Sequence, residues 1–242
     1  MAKTCMAAGG AFESCLNFQK VQKNQKFIPK NVSAFTLAEV LVTLTIIGVV
    51  AAMTVPTLMR NYEKIQFQSG FKKAYSEVNQ AIKLMVNDEG ENLDYKYFLY
   101  EFKGYFKKLE DYGDMAIGDV KKNFKTYKSF KNDHTITAGF YDDYLFRLSD
   151  GVDVFINADN YKPPVQLMVD TNGNKKGPNR LGYDFFVLVE YFPEEGFVIA
   201  GSEKSTFKNP DVYCSFESDN EANGKGCAFK ALMDSNYWKN LK

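Results

Sequence analysis

Residues 40–59, VLVTLTIIGVVAAMTVPTLM, contain no charged side chain in twenty positions. As a helix, this segment would be ~30 Å long, which matches the hydrocarbon thickness of a bilayer. The thirty-four residues before Phe35 carry five lysines and one glutamate, a net charge of five minus one, or +4. Because positively charged flanks stay cytoplasmic, we expect the helix to point its C-terminus out of the cytoplasm.

The two sides of Phe35 also differ in net charge. Its 242 residues hold thirty Lys plus Arg and thirty Asp plus Glu, so the formal charge is zero. From Phe35 onward there remain 25 basic and 29 acidic side chains, a net of −4.

His134 is the single histidine, and no nucleophile motif, phosphate loop or dinucleotide-binding glycine pattern accompanies it. We therefore expect that the protein is not an enzyme.

Three ordinary interpretations compete for the apolar segment. It could be a secretory signal peptide cleaved near Ala51 and Ala52, a plain membrane anchor, or a buried core helix. Glu39, at the entrance of the segment, argues against all three. A carboxylate costs ~2.5 to 3.5 kcal/mol at the bilayer centre and less near the edge, so it marks a partner or a function unless it snorkels to the headgroups.

Residues 34–41, AFTLAEVL, together with the apolar segment and Pro56, resemble the type IV prepilin N-terminus. In that family of pilins and type II secretion pseudopilins, a membrane peptidase cuts before the Phe, and the new amino group is methylated. The resemblance implies a cut between Ala34 and Phe35, an N-methylated Phe35, Glu39 as the assembly glutamate and Pro56 as the helix kink. The chain differs from the family in its long leader and in Ala34, where Gly is usual.

Assembly through Glu39 has a physical basis. Cleavage would create a positive amine at Phe35, and Glu39 of an adjoining subunit could neutralise it in a low-dielectric setting. The resemblance implies four partners: other pilin or pseudopilin subunits, the prepilin peptidase and methylase, an inner-membrane assembly platform, and the lipid bilayer. The implied location is the bacterial inner membrane, with a single pass and the C-terminal domain outside the cytoplasm, and a filament after assembly. The alternative is a membrane-anchored exported enzyme or ligand-binding protein.

The fold is expected to be α+β and pilin-like. A long helix, bent at Pro56 and ending near Gly90, should pack on a four- to five-stranded antiparallel sheet. Apolar residues at spacings of three and four predict its buried stripe, namely Phe71, Ala74, Tyr75, Val78, Ala81, Ile82 and Met85. Alternation and turn residues predict strands over 144–148, 152–156, 165–169, 185–191 and 197–200.

This interpretation divides the chain into six segments. They are a basic leader (1–34), the membrane-spanning part of the helix (35–59), its amphipathic part (60–90), an aromatic and Lys-rich insertion (91–139), the sheet (140–202), and a disulfide loop with a short C-terminal helix (203–242). Within the insertion, rings and leucine at helical spacing predict a short helix over 95–109.

Residues 121–131 of the insertion interleave five lysines with three aromatic rings. Rings between cations can grip single-stranded nucleic acid. However, the whole chain has three arginines, Arg60, Arg147 and Arg180, and therefore few guanidinium groups for bidentate phosphate contacts. We expect a solvated face with its rings in a local core, and no nucleic-acid partner.

Residues 170–179, DTNGNKKGPN, place oxygens at Asp170, Asn172 and Asn174 in the alternate spacing of a calcium loop. The resemblance also suggests calcium, because major pseudopilins bind it in their C-terminal parts. However, Lys175 and Leu181 stand where an EF-type loop has Gly and Glu. Adjacent lysines would repel a divalent ion, so we expect a turn and no bound cofactor, with calcium as the alternative.

The four cysteines fall on both sides of the expected cut. Cys5 and Cys15 lie in the leader and would be discarded with it. Cys214 and Cys227 lie on the side expected in an oxidising compartment, where a disulfide can form. Such a bridge is similar to the C-terminal disulfide loop of many pilins. The alternative is two unpaired buried thiols.

Overall fold

The computed structural model describes residues 35–90, 101–114, 117–158 and 162–242. A long helix, α1 (Leu37–Glu89), comes first, and six strands and several short helices follow. By its internal contacts the chain divides after Ala51, and the part from Ala52 onward contains the folded core. The strands are β1 (Lys108–Gly113), β2 (Tyr144–Leu148), β3 (Asp153–Asn157), β4 (Val165–Asp170), β5 (Phe185–Phe192) and β6 (Gly196–Ile199). The short α-helices are α2 (Ile117–Asn123), α3 (Pro210–Tyr213) and α4 (Cys227–Met233).

The six strands form one antiparallel sheet in chain order. This confirms the expected α+β class, and each of the five predicted strands lies within a residue of an observed one. Gly151 adopts φ +93° in the turn between β2 and β3, as a tight hairpin requires. The strand count was wrong by at least one, because β1 adds a sixth strand at the edge of the sheet.

Strand β1 and the turn before it replace the end of the helix predicted over 95–109. Residues 95–100 lie outside the described part of the chain, but a 3₁₀ turn at Phe102–Tyr105 and then β1 follow. The rings of Phe102 and Phe106 meet edge to face, and Phe106 packs against Phe146 of β2. The helical spacing of Phe102 and Phe106 therefore belongs to a single 3₁₀ turn that packs against the sheet, and not to a longer helix.

The second half of α1 packs its apolar stripe on the sheet. Six of the seven predicted stripe residues are buried, and Tyr75 is half-buried. The ring of Phe71 lies 4.5 Å from that of Phe186 on β5 and 5.5 Å from that of Trp238 near the C-terminus. Gly90 follows the last helical residue with φ +85°, a position that favours glycine, so the helix ends where the sequence predicts.

Close approach also fixes α1 against the loops of the sheet. A Cβ added to Gly70 would lie 3.3 Å from the Cβ of Thr171, so glycine allows this loop to approach the helix. One helical turn further along, Lys73 Nζ lies 2.6 Å from Asp150 Oδ2 in the turn between β2 and β3. The sheet and the amphipathic part of α1 are thus joined by packing, by a small residue and by an ion pair.

Candidate functional site

The first turn of α1 is closed by a reciprocal contact between Thr36 and Glu39. Glu39 Oε2 accepts hydrogen bonds from the Thr36 N–H and the Thr36 hydroxyl, both at 2.8 Å. In return, the Glu39 N–H donates to Thr36 Oγ1 at 3.3 Å. This is a capping box, which satisfies donors that an open helix end leaves unpaired. Phe35 precedes it and is 85% exposed. Ala34, on the other side of the expected cut, lies outside the described residues.

The apolar part of α1 is exposed on all sides. It is long and apolar enough to cross a membrane by length and composition, and none of its most apolar window is buried. Two of its threonines bond to the helix itself: Thr43 Oγ1 donates to the Val40 carbonyl at 3.0 Å and Thr45 Oγ1 to the Leu41 carbonyl at 2.8 Å. Hydroxyls satisfied in this way can enter lipid without losing a partner.

Pro56 lies inside α1, and the helix continues through it. Proline has no backbone N–H, so it removes one hydrogen bond of the helix and favours a bend there. The bend itself stays a prediction.

The C-terminal residues are held against the core by a disulfide and by hydrogen bonds of two aromatic side chains. Cys214 and Cys227 form the expected disulfide, and Cys227 is the first residue of α4. Trp238 Nε1 donates to the Ala231 carbonyl at 3.0 Å. The Tyr237 hydroxyl donates to the Gly182 carbonyl at 2.6 Å. These contacts make α4 and the residues after it part of the folded core.

Three buried carboxylates lie around the loop that joins β4 and β5. Asp153 pairs with Arg147 through two hydrogen bonds of 2.6 and 2.9 Å. Asp170 accepts from the Tyr127 hydroxyl at 2.8 Å, and Asp184 accepts from two backbone N–H groups. Burial raises the pKa of Asp184 to about 6. Burial, with the nearby charge of Asp184, raises the pKa of Asp170 well above its usual range.

Most of the side-chain oxygens considered for calcium already accept hydrogen bonds from the protein, as Asp170 Oδ2 does from the Tyr127 hydroxyl. Asp170 Oδ1 accepts from the N–H groups of Asn172 and Gly173, as in an Asx turn. Asn174 Oδ1 accepts from the Lys125 N–H, whereas Asn172 Oδ1 is buried and has no hydrogen-bond partner among the described residues. In the described part of the chain, no group of three or more acidic, His or Cys side chains is arranged to hold a metal. The contacts of Asp170 and Asn174 favour the turn.

The lysine and aromatic residues of 121–131 separate into two environments. The rings of Phe124, Tyr127 and Phe130 are buried, and Tyr127 stacks on Phe185 at 3.8 Å between centroids. The lysines lie outside this cluster, and several are held by neighbouring groups, as in the ion pair between Lys131 and Asp219. These rings are not available to stack on nucleic-acid bases.

His134, the single histidine, does not belong to a catalytic arrangement in the described residues. Its Nε2 lies 3.9 Å from Asp133 Oδ2, and its side chain is 37% exposed. The hydroxyl of Ser129 donates to Asp133 and accepts from the His134 backbone N–H, and among the described residues it forms no hydrogen bond with the imidazole. A nucleophile activated by this histidine would need a direct hydrogen bond between the two side chains.

Comparison with known proteins identifies the N-terminal region. Residues 29–55 match the family model of the prokaryotic N-terminal methylation motif, which is the prepilin-type signature. The match includes the expected cleavage site, Phe35, the Thr36–Glu39 capping box and most of the apolar segment. No curated protein and no solved structure matches the chain. The chain thus carries a prepilin-type N-terminus followed by an α+β domain, and the motif supports a type IV pilin-like or pseudopilin protein.

Proposed function

We propose that the protein is a structural subunit, a pseudopilin or a minor pilin, of a type II secretion or type IV pilus filament. It enters the inner membrane as a prepilin with its C-terminal domain outside the cytoplasm. A prepilin peptidase cuts between Ala34 and Phe35 and the amine of Phe35 is methylated. The assembly platform then draws α1 out of the bilayer and into a bundle of such helices.

One observation carries the proposal: the match to the methylation motif coincides with an exposed Phe35 and with an acid in the first turn of α1. A carboxylate at the edge of an apolar helix is costly unless it is paired. The capping box supplies part of that pairing within one subunit through the Thr36 N–H and hydroxyl. The positive amine of Phe35 on a neighbouring subunit would supply the charge that Thr36 lacks.

The capping box also gives Glu39 a second role, because a glutamate at this position stabilises the helix end without any partner. Glutamine can occupy the same position in a capping box, but it carries no charge. Glu39→Gln therefore keeps the helix cap and removes the ion pair, whereas Glu39→Ala removes both.

The experiment compares the full chain and these two variants in cells that assemble the filament. Cleavage is measured by the mass of the protein in the membrane fraction, and assembly by its amount in sheared surface fractions. We expect both variants to be cleaved and both to be absent from filaments. Normal assembly of Glu39→Gln would show that Glu39 acts as a cap, and it would contradict the ion pair.

The competing function is a membrane-anchored exported enzyme or ligand-binding protein that does not assemble. An open groove of about 650 Å³ in the folded part has Asp150, Lys176 and Arg180 among its lining residues. Arg180 donates to the Phe130 carbonyl and lies 4.0 Å above the Tyr183 ring, so its guanidinium is already used in the fold. The methylation motif and the capped acid at the start of α1 support the structural role better.

A further inference from the structure

The exposed apolar surface of α1 ends near Ile65. Large hydrophobic side chains are exposed along the helix from Leu37 as far as Ile65, and then not again until Leu84. Tyr62, near the end of this surface, is 63% exposed. Lipid-facing side chains of a membrane helix are apolar, and tyrosine is enriched at the boundary between hydrocarbon and headgroups. If residues 40–59 span the hydrocarbon, the headgroups therefore lie beside the turns that follow this segment.

The C-terminal residues lie beside the same turns. Lys64 Nζ donates to the Lys239 carbonyl at 2.9 Å. Side chains of a helix lean toward its N-terminus, so the Lys64 ammonium, and with it the Lys239 backbone, lies over the turn that begins near Arg60. One turn further along, the ring of Phe67 meets that of Tyr183 edge to face, with the centroids 6.3 Å apart. One edge of the folded part is thus held against α1 directly after its apolar segment.

The distance along the helix matches the thickness of the headgroup layer. Lys64 lies five residues after Met59, the last residue of the apolar segment. At the rise of an α-helix this is ~7.5 Å. The headgroup region adds ~5 to 7 Å on each side of the hydrocarbon. Because the Lys64 side chain leans back toward the segment, its ammonium would lie within this layer.

Four basic side chains lie at this edge of the folded part. Two are on the first turns of α1 after the apolar segment, one is on the C-terminal residues bound to them, and one lines the open groove beside Glu63 and Gly70. We call these four residues the basic cluster: Arg60, Lys64, Lys176 and Lys239. None of them makes an ion pair with any described residue.

The other charged residues of the groove do not balance the basic cluster. Asp150 is paired with Lys73, so Glu63 is the one acid lining the groove that has no cationic partner among the described residues. The guanidinium of Arg180 and the ammonium of Lys242 lie over aromatic rings and are left out of the count. Four cations against one acid give the edge a net charge of four minus one, or +3.

We propose that the basic cluster binds the anionic headgroups of phospholipids while the chain is in the membrane. An anionic lipid surface attracts basic residues that lie next to a membrane helix, and each additional one strengthens the attraction. Lysine and arginine suit this position, because their apolar stems lie along apolar surface while the charged ends stay among the headgroups. The partner is thus the lipid surface, and the contact is made by the folded part in addition to the apolar helix.

This contact rests on the proposed function only for the placement of α1 in the membrane. The basic cluster and the turns beside it leave the headgroups when α1 is drawn out of the bilayer. The headgroup contact therefore stabilises the membrane-inserted subunit relative to the assembled one. It would hold the folded part at the membrane surface until the assembly platform acts on the subunit.

Energy transfer from the single tryptophan tests the contact. Trp238 is next to Lys239 in the chain, and the chain has no other tryptophan. The full-length chain is inserted into vesicles with dansyl-labelled headgroups, and transfer from Trp238 to dansyl is measured. We expect more transfer in phosphatidylcholine mixed with phosphatidylglycerol than in phosphatidylcholine alone, and we expect high salt to remove the difference. Equal transfer in both lipids, or a difference that persists in high salt, would overturn the proposal.

Matched substitutions test whether the basic cluster causes the difference. Lys64→Gln with Lys239→Gln removes two of its charges, so most of the difference between the two lipids should be lost. Lys64→Arg with Lys239→Arg keeps both charges and should retain the difference. Lys121→Gln with Lys122→Gln, at exposed positions on α2, makes the same charge change elsewhere and should behave as the original chain. No loss in the first pair, or an equal loss in either of the other pairs, would contradict the assignment.

Two further measurements separate headgroups from other partners. Sodium phosphate and sodium chloride at equal ionic strength should lower the transfer equally, whereas a larger loss in phosphate would assign the basic cluster to free phosphate. Diluting the chain within the vesicles should leave the transfer per chain unchanged, whereas a difference that disappears on dilution would come from contacts between copies. Either of these contrary results would overturn the proposal.

Failure of the contact and failure of the proposed function give different results. A chain that is found in sheared filaments but shows equal transfer in both lipids contradicts the contact and leaves the proposed function standing. A salt-sensitive difference in vesicles, without the chain in filaments, supports the contact and contradicts the proposed function.

Discussion

Thr36 and Glu39 bind each other in both directions at the start of α1. The carboxylate of Glu39 receives two hydrogen bonds of 2.8 Å from Thr36, and the Glu39 N–H returns one of 3.3 Å to the Thr36 hydroxyl. The acid is thus hydrogen-bonded within its own subunit, but its negative charge is not neutralised there. The proposed partner is the amine of Phe35 from a neighbouring subunit. It would bind the Glu39 carboxylate, whose Oε2 is already held in place by Thr36.

Replacing Thr36 tests how much its hydrogen bonds to Glu39 contribute to assembly. Thr36→Val keeps the shape of the side chain but removes the hydroxyl, and the loss of a cap costs ~1 kcal/mol. We expect Thr36→Val to be cleaved and to enter filaments less efficiently than the original chain, but better than Glu39→Ala. Thr36→Ser retains the hydroxyl and should assemble normally. Equal assembly of the Val and Ser variants would show that the cap has no part in assembly.

The disulfide should contribute substantially to the stability of the folded part. The bridge closes a sequence separation of 13 residues, for which the chain-entropy model gives ~3 kcal/mol. We expect a fragment of residues 60–242 with Cys214→Ser and Cys227→Ser to lose about that much free energy of unfolding in urea. Reductant should destabilise the original fragment by a similar amount and leave the double variant unchanged. Equal stability of the two fragments would contradict this role.

Stability should rise when the protein is moderately acidified. Burial raises the pKa of Asp184 from 3.8 to about 6 and that of Asp170 in the same direction, so the folded state holds these protons more tightly than the unfolded state. Their stabilising contribution is complete below the unfolded pKa and is lost as the pH rises through the folded pKa. From about pH 7 to about pH 5, the free energy of unfolding should increase by on the order of 1–3 kcal/mol.

Asp184→Asn tests the source of this pH dependence. The change should reduce the slope between those pH values, whereas Asp88→Asn, at an exposed position near the end of α1, should leave it unchanged. Urea unfolding of the 60–242 fragment across the pH series measures both. A slope that is flat in the original fragment, or as steep after Asp184→Asn, would contradict the assignment.

Calcium should not stabilise the fold. Asp170 and Asn174 already accept hydrogen bonds from backbone N–H groups and from Tyr127, and these would compete with a metal. We therefore expect the melting temperature of the 60–242 fragment to be the same with calcium and with a chelator. A rise that saturates with calcium and disappears in Asp170→Asn would show that the loop holds the ion.

The sequence predicted best what depends on local periodicity. The stripe from Phe71 to Met85 has regular spacings, so it identified the buried face of α1. The strands after residue 140 alternate or are continuously apolar. Gly151 adopts positive φ in the turn between β2 and β3, and Gly196 does so at the start of β6. The disulfide followed from the compartment and from the resemblance.

What the sequence did not predict depends on contacts between distant residues. Strand β1, KLEDYG, has no apolar alternation and owes its conformation to pairing with β2, including two shifts in register. The buried arrangement of Asp153, Asp170 and Asp184 joins residues from three separate segments. The spacing of Thr36 and Glu39, three residues apart, is the sequence signature of a capping box. The resemblance to the prepilin motif predicted a role for Glu39 in assembly only.

The central claim is that the mature chain begins at Phe35. The most direct measurement is the N-terminal sequence and intact mass of the protein purified from membranes. We expect a chain of residues 35–242 whose first residue is methylated phenylalanine. An intact leader, or a mature N-terminus near Ala52, would contradict the account and would support an uncleaved anchor or an ordinary signal peptide.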